Sequence, residues 1–218
     1  MRSDFTKSQP LPEFSLWEKM KNNRNVVSFD LEITARCNNN CRHCYINLPF
    51  RNAHAKSKEL KLSQIKDIVG QAADLGALWC LITGGEPLLR KDFFDIYLYI
   101  KKKGLLISVF TNATLITEEH AEFFKKYPPR DIEVTVYGTT EETYERVTRK
   151  PGSFRAFIEG LNLLLENGLK VRFKAMALRW IPARQLSRHR FPPANRALIA
   201  RLAAPSKNRR RAVASRRQ

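Results

Sequence analysis

The chain has 218 residues, 43% of them hydrophobic, enough for one sizeable domain with its own core. No run approaches the eighteen or so apolar residues of a membrane span, and residues 1–25 are polar and charged with no hydrophobic centre of a secretory signal, so a cytoplasmic protein is expected. The formal net charge of +18 suggests nucleic acid until its distribution is read: residues 181–218 hold eleven Lys and Arg and no acidic residue, which leaves +7 on residues 1–180.

After the lead-in over 1–25, the apolar run Val26 to Ile33 reads as a strand and feeds directly into Cys37-Asn-Asn-Asn-Cys41-Arg-His-Cys44. Three thiolates leaving one loop can converge on a single inorganic centre. Iron–sulfur clusters are held by cysteine thiolates, normally four, so three leave one iron without a protein ligand. An open position of that kind separates a reactive metal site from a structural one. Zinc is the first alternative, but structural zinc takes two ligand pairs a dozen or more residues apart, and no second pair exists here. Cys80 lies in an apolar run, where free cysteine behaves as a small hydrophobe, and is read as core. A disulfide framework fits poorly with an intracellular chain.

Further along, a strand–loop–helix rhythm repeats. A helix is predicted from Leu62 to Leu75, with Ser63 as N-cap, Gly76 as its stop and Ile65, Ile68, Val69, Ala72 and Leu75 as the inward stripe. A second strand, Ala77 to Thr83, ends in Gly84-Gly85-Glu86-Pro87. A helix over 91–103 follows, carrying Phe94, Ile96, Tyr97 and Ile100 and stopping at Gly104; then a strand over 105–111. A short helix starts near Thr117 and is broken by Pro128-Pro129. A fourth strand spans Ile132 to Tyr137, Thr139-x-x-Glu142 reads as a capping box, a longer helix runs over 153–167, and a fifth strand over 169–178. Strands alternating with helices imply right-handed crossovers and a parallel sheet. In barrels built this way the functional groups gather at the C-terminal ends of the strands, where both the cysteine loop and the GGEP segment sit.

After Trp180 neither periodicity survives. Residues 181–218 are rich in Arg, Ala and Pro, and read as an irregular or disordered tail foreign to the fold, from a truncation or a change of reading frame. The rival is a basic arm that neutralises phosphates; without interleaved aromatics its contact with nucleic acid would be nonspecific.

The two motifs together resemble the radical S-adenosylmethionine (radical SAM) enzymes, whose C-x3-C-x-aromatic-C loop follows the first strand and whose GGEP-type segment follows the second. The resemblance covers roughly residues 26–178 and implies a partial (β/α)6, TIM-like barrel, of which about five parallel strands are present, with the core over 26–180. It implies that Cys37, Cys41 and Cys44 hold a [4Fe-4S] cluster whose open iron chelates S-adenosylmethionine. One electron then breaks the sulfonium bond, giving methionine and a 5′-deoxyadenosyl radical that removes hydrogen from a substrate. Gly84, Gly85, Glu86 and Pro87 would meet the methionyl end. There the glycines would allow close backbone approach, Pro87 would stiffen the turn and Glu86 would be an anionic partner for the ammonium. His43 fills the aromatic slot and would lie near the adenine. Thr111-Asn112-Ala113 is similar to the family's T-N-G segment, with Ala113 in place of glycine, and Thr135 sits in the slot of a serine that reaches the ribose, a position that strand propensity explains almost as well. Lys174 and Met176 share one side of the fifth strand, inner or outer.

Asp30 to Cys37, Thr135 to Gly138 and Gly152 to Phe154 look most like the branch carrying a C-terminal SPASM domain, which includes peptide and protein maturases. That cysteine-rich module is absent, because no cysteine follows Cys80. A peptide or protein substrate and a flavodoxin- or ferredoxin-type electron donor are the implied partners. The adjacent pairs Glu118–Glu119 and Glu141–Glu142 fall in first turns of helices, where they complement the dipole, and His120 and His189 have no ligand partners in the sequence. The alternative function is a catalytically defective fragment, or a basic binding module with a vestigial cluster loop.

Overall fold

The computed structural model describes residues 26–46 and 48–175. The lead-in, Met176, His189, the end of the fifth strand and the basic tail lie outside them. Five parallel strands form the main sheet: β1 (Ser28–Thr34), β4 (Trp79–Gly84), β5 (Leu106–Thr111), β6 (Asp131–Val136) and β7 (Val171–Ala175), side by side in that order. Between β1 and β4 the chain makes two short parallel strands, β2 (Arg36–Cys37) and β3 (Leu48–Pro49), then helices α1 (Ala53–Ser57) and α2 (Leu62–Asp74). The later crossovers are α3 (Phe93–Lys102), α4 (Glu118–Lys126), and the pair α5 (Glu141–Thr148) and α6 (Ser153–Glu166). Strand order follows chain order and each crossover carries a helix, as a partial TIM-like barrel requires.

Alternation divides the sheet into two faces. Leu31, Ile82, Val109, Ile132 and Val171 lie in register across it and belong to the buried core with Ile65, Val69, Ile96, Tyr97, Phe124, Phe157 and Leu161 from the helices. Cys80, 1% exposed and in register with Phe29, is part of this core, as its apolar surroundings predict. The intervening positions carry Asp30, Glu32, Leu81, Thr83, Ser108, Phe110, Asp131, Glu133, Thr135, Arg172 and Lys174, an inner face on which polar and charged groups predominate. Lys174 is therefore on the inner side, its Nζ 2.6 Å from Glu133 and 3.2 Å from the centre of the Phe110 ring.

Three local expectations are corrected. The N-cap of α2 is Lys61, whose backbone N–H is accepted by the Gln64 side chain at 2.9 Å, and Ser63 lies inside the first turn. Its inward stripe is narrower than predicted. Ile65 and Val69 are buried and Ala72 packs beside them, whereas Ile68 and Leu75, rotated to the flank, are 39% and 53% exposed. The cap of α5 is Thr140, which accepts from the N–H of Thr143, so the N-cap moves one residue along from Thr139. Gly76, at φ 88°, does end α2, and the Glu118–Glu119 and Glu141–Glu142 pairs do fall in first turns. Among the described residues no helix is long and apolar enough to cross a membrane.

Candidate functional site

The cysteine loop leaves the C-terminal end of β1 and is held on two sides. On one, the Asn40 and Arg42 backbone N–H groups donate to the Thr148 and Val147 carbonyls at the end of α5, at 3.0 and 2.9 Å. The following turn completes this clamp, with Arg149 Nε reaching the Asn40 carbonyl at 2.7 Å and Lys150 Nζ the Asn38 carbonyl at 2.8 Å. Arg149 holds φ 51°, a conformation that costs a non-glycine residue free energy and persists where its surroundings over-determine it. On the other side, the Arg36 guanidinium spans both Glu59 oxygens and the Phe50 carbonyl, bracing the residue beside Cys37 against the chain entering α2.

None of Cys37, Cys41 and Cys44 is in a disulfide. Burial pushes the Cys37 thiol up to about 12, with Glu86 and the other two cysteines adding to the rise and the Asn39 N–H opposing it. Burial also raises Cys41, against a hydrogen bond from the Tyr137 hydroxyl. Cys37 and Cys41, both resisting ionisation, are poor anions alone but good ligands once a cationic centre inverts the local field. The loop and α5 beside it also hold polar atoms with nothing to bond. Both side-chain polar atoms of Asn39, His43 Nδ1 and the Tyr144 hydroxyl are buried without a hydrogen-bond partner. Unsatisfied groups of this kind mark a place where a bound species supplies what is missing. Among the described residues no three His, Cys, Asp or Glu side chains are drawn about one point for a single ion.

At the end of β4, the two glycines serve a close approach different from the expected one. A Cβ on Gly84 would lie 2.2 Å from the Thr34 carbonyl oxygen, and one on Gly85 would lie 2.3 Å from that of Arg36. The backbone bonds Gly85 N–H to Thr34 O at 2.8 Å and Glu86 N–H to Arg36 O at 2.9 Å, so this turn seals against the root of the cysteine loop. Glu86 also departs from expectation. Its carboxylate is fully buried and accepts from the Thr111 hydroxyl and the Asn112 N–H, each at 2.8 Å, and from the Leu88 N–H at 3.2 Å. The carboxylate expected to meet an ammonium is spent inside the protein, tying the end of β4 to the end of β5. Burial raises it to about 7 despite those three donors. Pro87 opens a short 3-10 turn, Pro87–Leu89, that Glu86 caps.

The Asn112 side chain lies at the cysteine loop, its Nδ2 donating to Asn38 Oδ1 at 2.9 Å and directed at Cys37 Sγ at 3.8 Å. Ala113 takes φ 61°, the left-handed conformation that a glycine adopts freely. The His43 ring packs on Tyr137 at 5.1 Å between centroids, and burial lowers its pKa. Thr135 stands half-buried on the inner face in register with Lys174. His120 shares a hydrogen bond with Thr117 and packs against Phe93 and Phe94, a structural role. Missed at the level of sequence were Asn38, Glu59, Tyr137, Arg149 and Lys150. The Asn-Asn-Asn run was the one available signal, since the others reach the loop from distant segments or carry no motif.

A parallel α/β sheet with a three-thiol loop and a glycine turn at the C-terminal ends of adjacent strands defines a cofactor-using barrel enzyme class. Residues 31–179 match the Radical SAM superfamily model, and the chain belongs to that family, whose cofactors are a [4Fe-4S] cluster and S-adenosylmethionine. It is 33% identical over 136 residues to the AdoMet-dependent heme synthase of Methanosarcina barkeri, covering 61% of this chain and 37% of that protein. It is 30% identical over 142 residues to the antilisterial bacteriocin subtilosin biosynthesis protein AlbA of Bacillus subtilis, covering 65% and 31%. Streptococcus suis SuiB, solved bound to S-adenosylmethionine, superposes with a TM-score of 0.64 at 19% identity over 78% of this chain and 39% of SuiB, a likeness of fold. The chain thus spans well under two thirds of these relatives.

Proposed function

We propose that Cys37, Cys41 and Cys44 ligate a [4Fe-4S] cluster and that the chain binds S-adenosylmethionine beside it for reductive cleavage. When bound, the cluster supplies the single electron that splits the sulfonium and sets the family's hydrogen abstraction in motion. The observation that carries this reading is the loop itself: three cysteines outside any disulfide on one loop, clamped from both sides, beside buried polar atoms that have no partner. The methionyl group is assigned to the Gly84–Pro87 segment, the adenine to His43 and the ribose to Thr135, with Asn112 beside them at the cysteine loop. The Glu86 carboxylate is given the role of holding the strand ends together, through Thr111, Asn112 and Leu88.

For substrate we infer a peptide or protein side chain. SuiB has been solved with its precursor peptide SuiA and AlbA is named for bacteriocin biosynthesis, while the heme synthase relative argues for a wider family range. A flavodoxin- or ferredoxin-type protein is the proposed donor. The test is anaerobic reconstitution with iron and sulfide, reduction with S-adenosylmethionine present, and assay of 5′-deoxyadenosine. Nucleoside release is the expected result. A brown cluster without nucleoside would favour a defective fragment, and stoichiometric zinc that resists exchange would sink the cluster itself.

A further inference from the structure

The Asn112 amide is locked in orientation. Its Oδ1 accepts from both the N–H and the hydroxyl of Thr114, at 2.9 and 2.6 Å, which forces Nδ2 to point the other way. One Nδ2 proton goes to Asn38 Oδ1 at 2.9 Å, and Asn38 Nδ2 closes the ring by donating to the Thr114 hydroxyl at 2.7 Å. The remaining Nδ2 proton faces Cys37 Sγ at 3.8 Å, joining the Asn39 backbone N–H at 3.4 Å on the same sulfur. An amide has two donors and two acceptor sites, and here all four are used. The backbone beneath is held too, since the Asn112 N–H is bonded to buried Glu86.

We propose that Asn112 is a positioning residue that sets the reduction potential of the cluster through Cys37, with Thr114 and Asn38 fixing its amide. The inference rests on the cluster reading above. Donors on a ligating sulfur draw charge from the thiolate and stabilise the reduced, more negative cluster, so they make it easier to reduce. A cluster that must pass an electron to a sulfonium gains from a donor that cannot swing away when the rim fills. Thr114 and Asn112 lie 76 and 74 residues along the chain from Asn38, their shared partner in the loop. The potential is therefore coupled to how β5 docks on the loop.

The experiment is an anaerobic redox titration of the reconstituted cluster, followed by EPR of its reduced form without S-adenosylmethionine, in the full chain. Asn112→Leu removes the donor and is expected to move the midpoint to more negative values with full iron content. Thr114→Val removes one of the two donors on Oδ1 and the acceptor of Asn38 Nδ2, loosening the amide, and is expected to move it the same way by less, and Thr114→Ser, which keeps the hydroxyl, is expected to match the wild type. Unchanged midpoints in Asn112→Leu and Thr114→Val would overturn the proposal while leaving the cluster reading intact. Should Asn112→Leu fail to hold iron, an unshifted Thr114→Val would overturn it just as fully. A wild-type chain that assembles no cluster would count against the underlying function instead.

Discussion

Gly85 lies against Arg36 so closely that a Cβ would sit 2.3 Å from the Arg36 carbonyl oxygen. The obstacle is backbone, which cannot swing aside as a flexible side chain would. Gly85→Ala must therefore push the GGEP turn off the root of the cysteine loop, with loss of the Gly85–Thr34 and Glu86–Arg36 bonds. A cost of about 3 kcal/mol in urea unfolding is expected, together with reduced iron uptake. Gly76→Ala is the comparison. It has a left-handed φ of 88° but open space around it, so about 1 kcal/mol and normal iron uptake are expected.

That contact also shows where sequence reasoning ends. Periodicity placed all five strands and the longer helices, because alternation and 3.6-residue stripes are local properties. The motif pair placed the site at the strand ends for the same reason. What surrounds each motif residue was not legible. Glu86 could be read as a cofactor partner until its carboxylate proved to be held by Thr111, Asn112 and Leu88. The Lys150–Asn38 bond joins residues 112 apart, and no spacing rule announces it. Ser63 and Thr139 failed as caps because several Ser, Thr and Lys positions compete near each helix start, and backbone geometry chooses among them.

Glu59 is a second residue that only the fold reveals. It lies 23 residues from Arg36, and the side chains of the pair are 9% and 13% exposed. Burial pushes Glu59 up, but the bonds from Arg36 and Thr34 outweigh it and hold the carboxyl below its ordinary range. Removing one partner leaves a largely desolvated guanidinium, which costs more than the pair itself is worth. Glu59→Ala is expected to destabilise by about 3 kcal/mol and to loosen the loop at Cys37. A loss below about 1 kcal/mol in urea unfolding would mean that water already solvates Arg36.

The four cysteines should divide into two kinds. Replacing Cys37, Cys41 or Cys44 with alanine is expected to abolish the brown chromophore and most of the bound iron. Cys80→Ala should keep both, because its thiol faces the helix side of the sheet. It should lose about 1–2 kcal/mol of stability for the buried sulfur it removes. Iron per chain, measured after identical reconstitution, separates the groups. Iron loss in Cys80→Ala with an intact fold would make Cys80 a ligand.

Glu86 should leave a signature in the pH dependence of stability. The folded carboxyl is raised to about 7 because it is buried, while an unfolded glutamate ionises near its ordinary 4.5. Below pH 4.5 both states hold the proton and the group contributes fully. Between 4.5 and 7 the unfolded chain releases its proton and the folded one resists, so stability falls by about 1.4 kcal/mol per pH unit, roughly 3 kcal/mol in all, and then levels off. Glu86→Gln cannot ionise, and its amide N–H2 faces the Asn112 N–H, which costs about 1–3 kcal/mol at every pH. The wild type should therefore exceed the Gln variant most near pH 4.5, with the difference shrinking up to pH 7. Urea unfolding of both proteins at pH 4.5, 6 and 7.5 measures it. A difference that stays nearly level from pH 4.5 upward would show that the three donors hold the carboxylate ionised in the fold, and that its role at the strand ends is that of a buried anion.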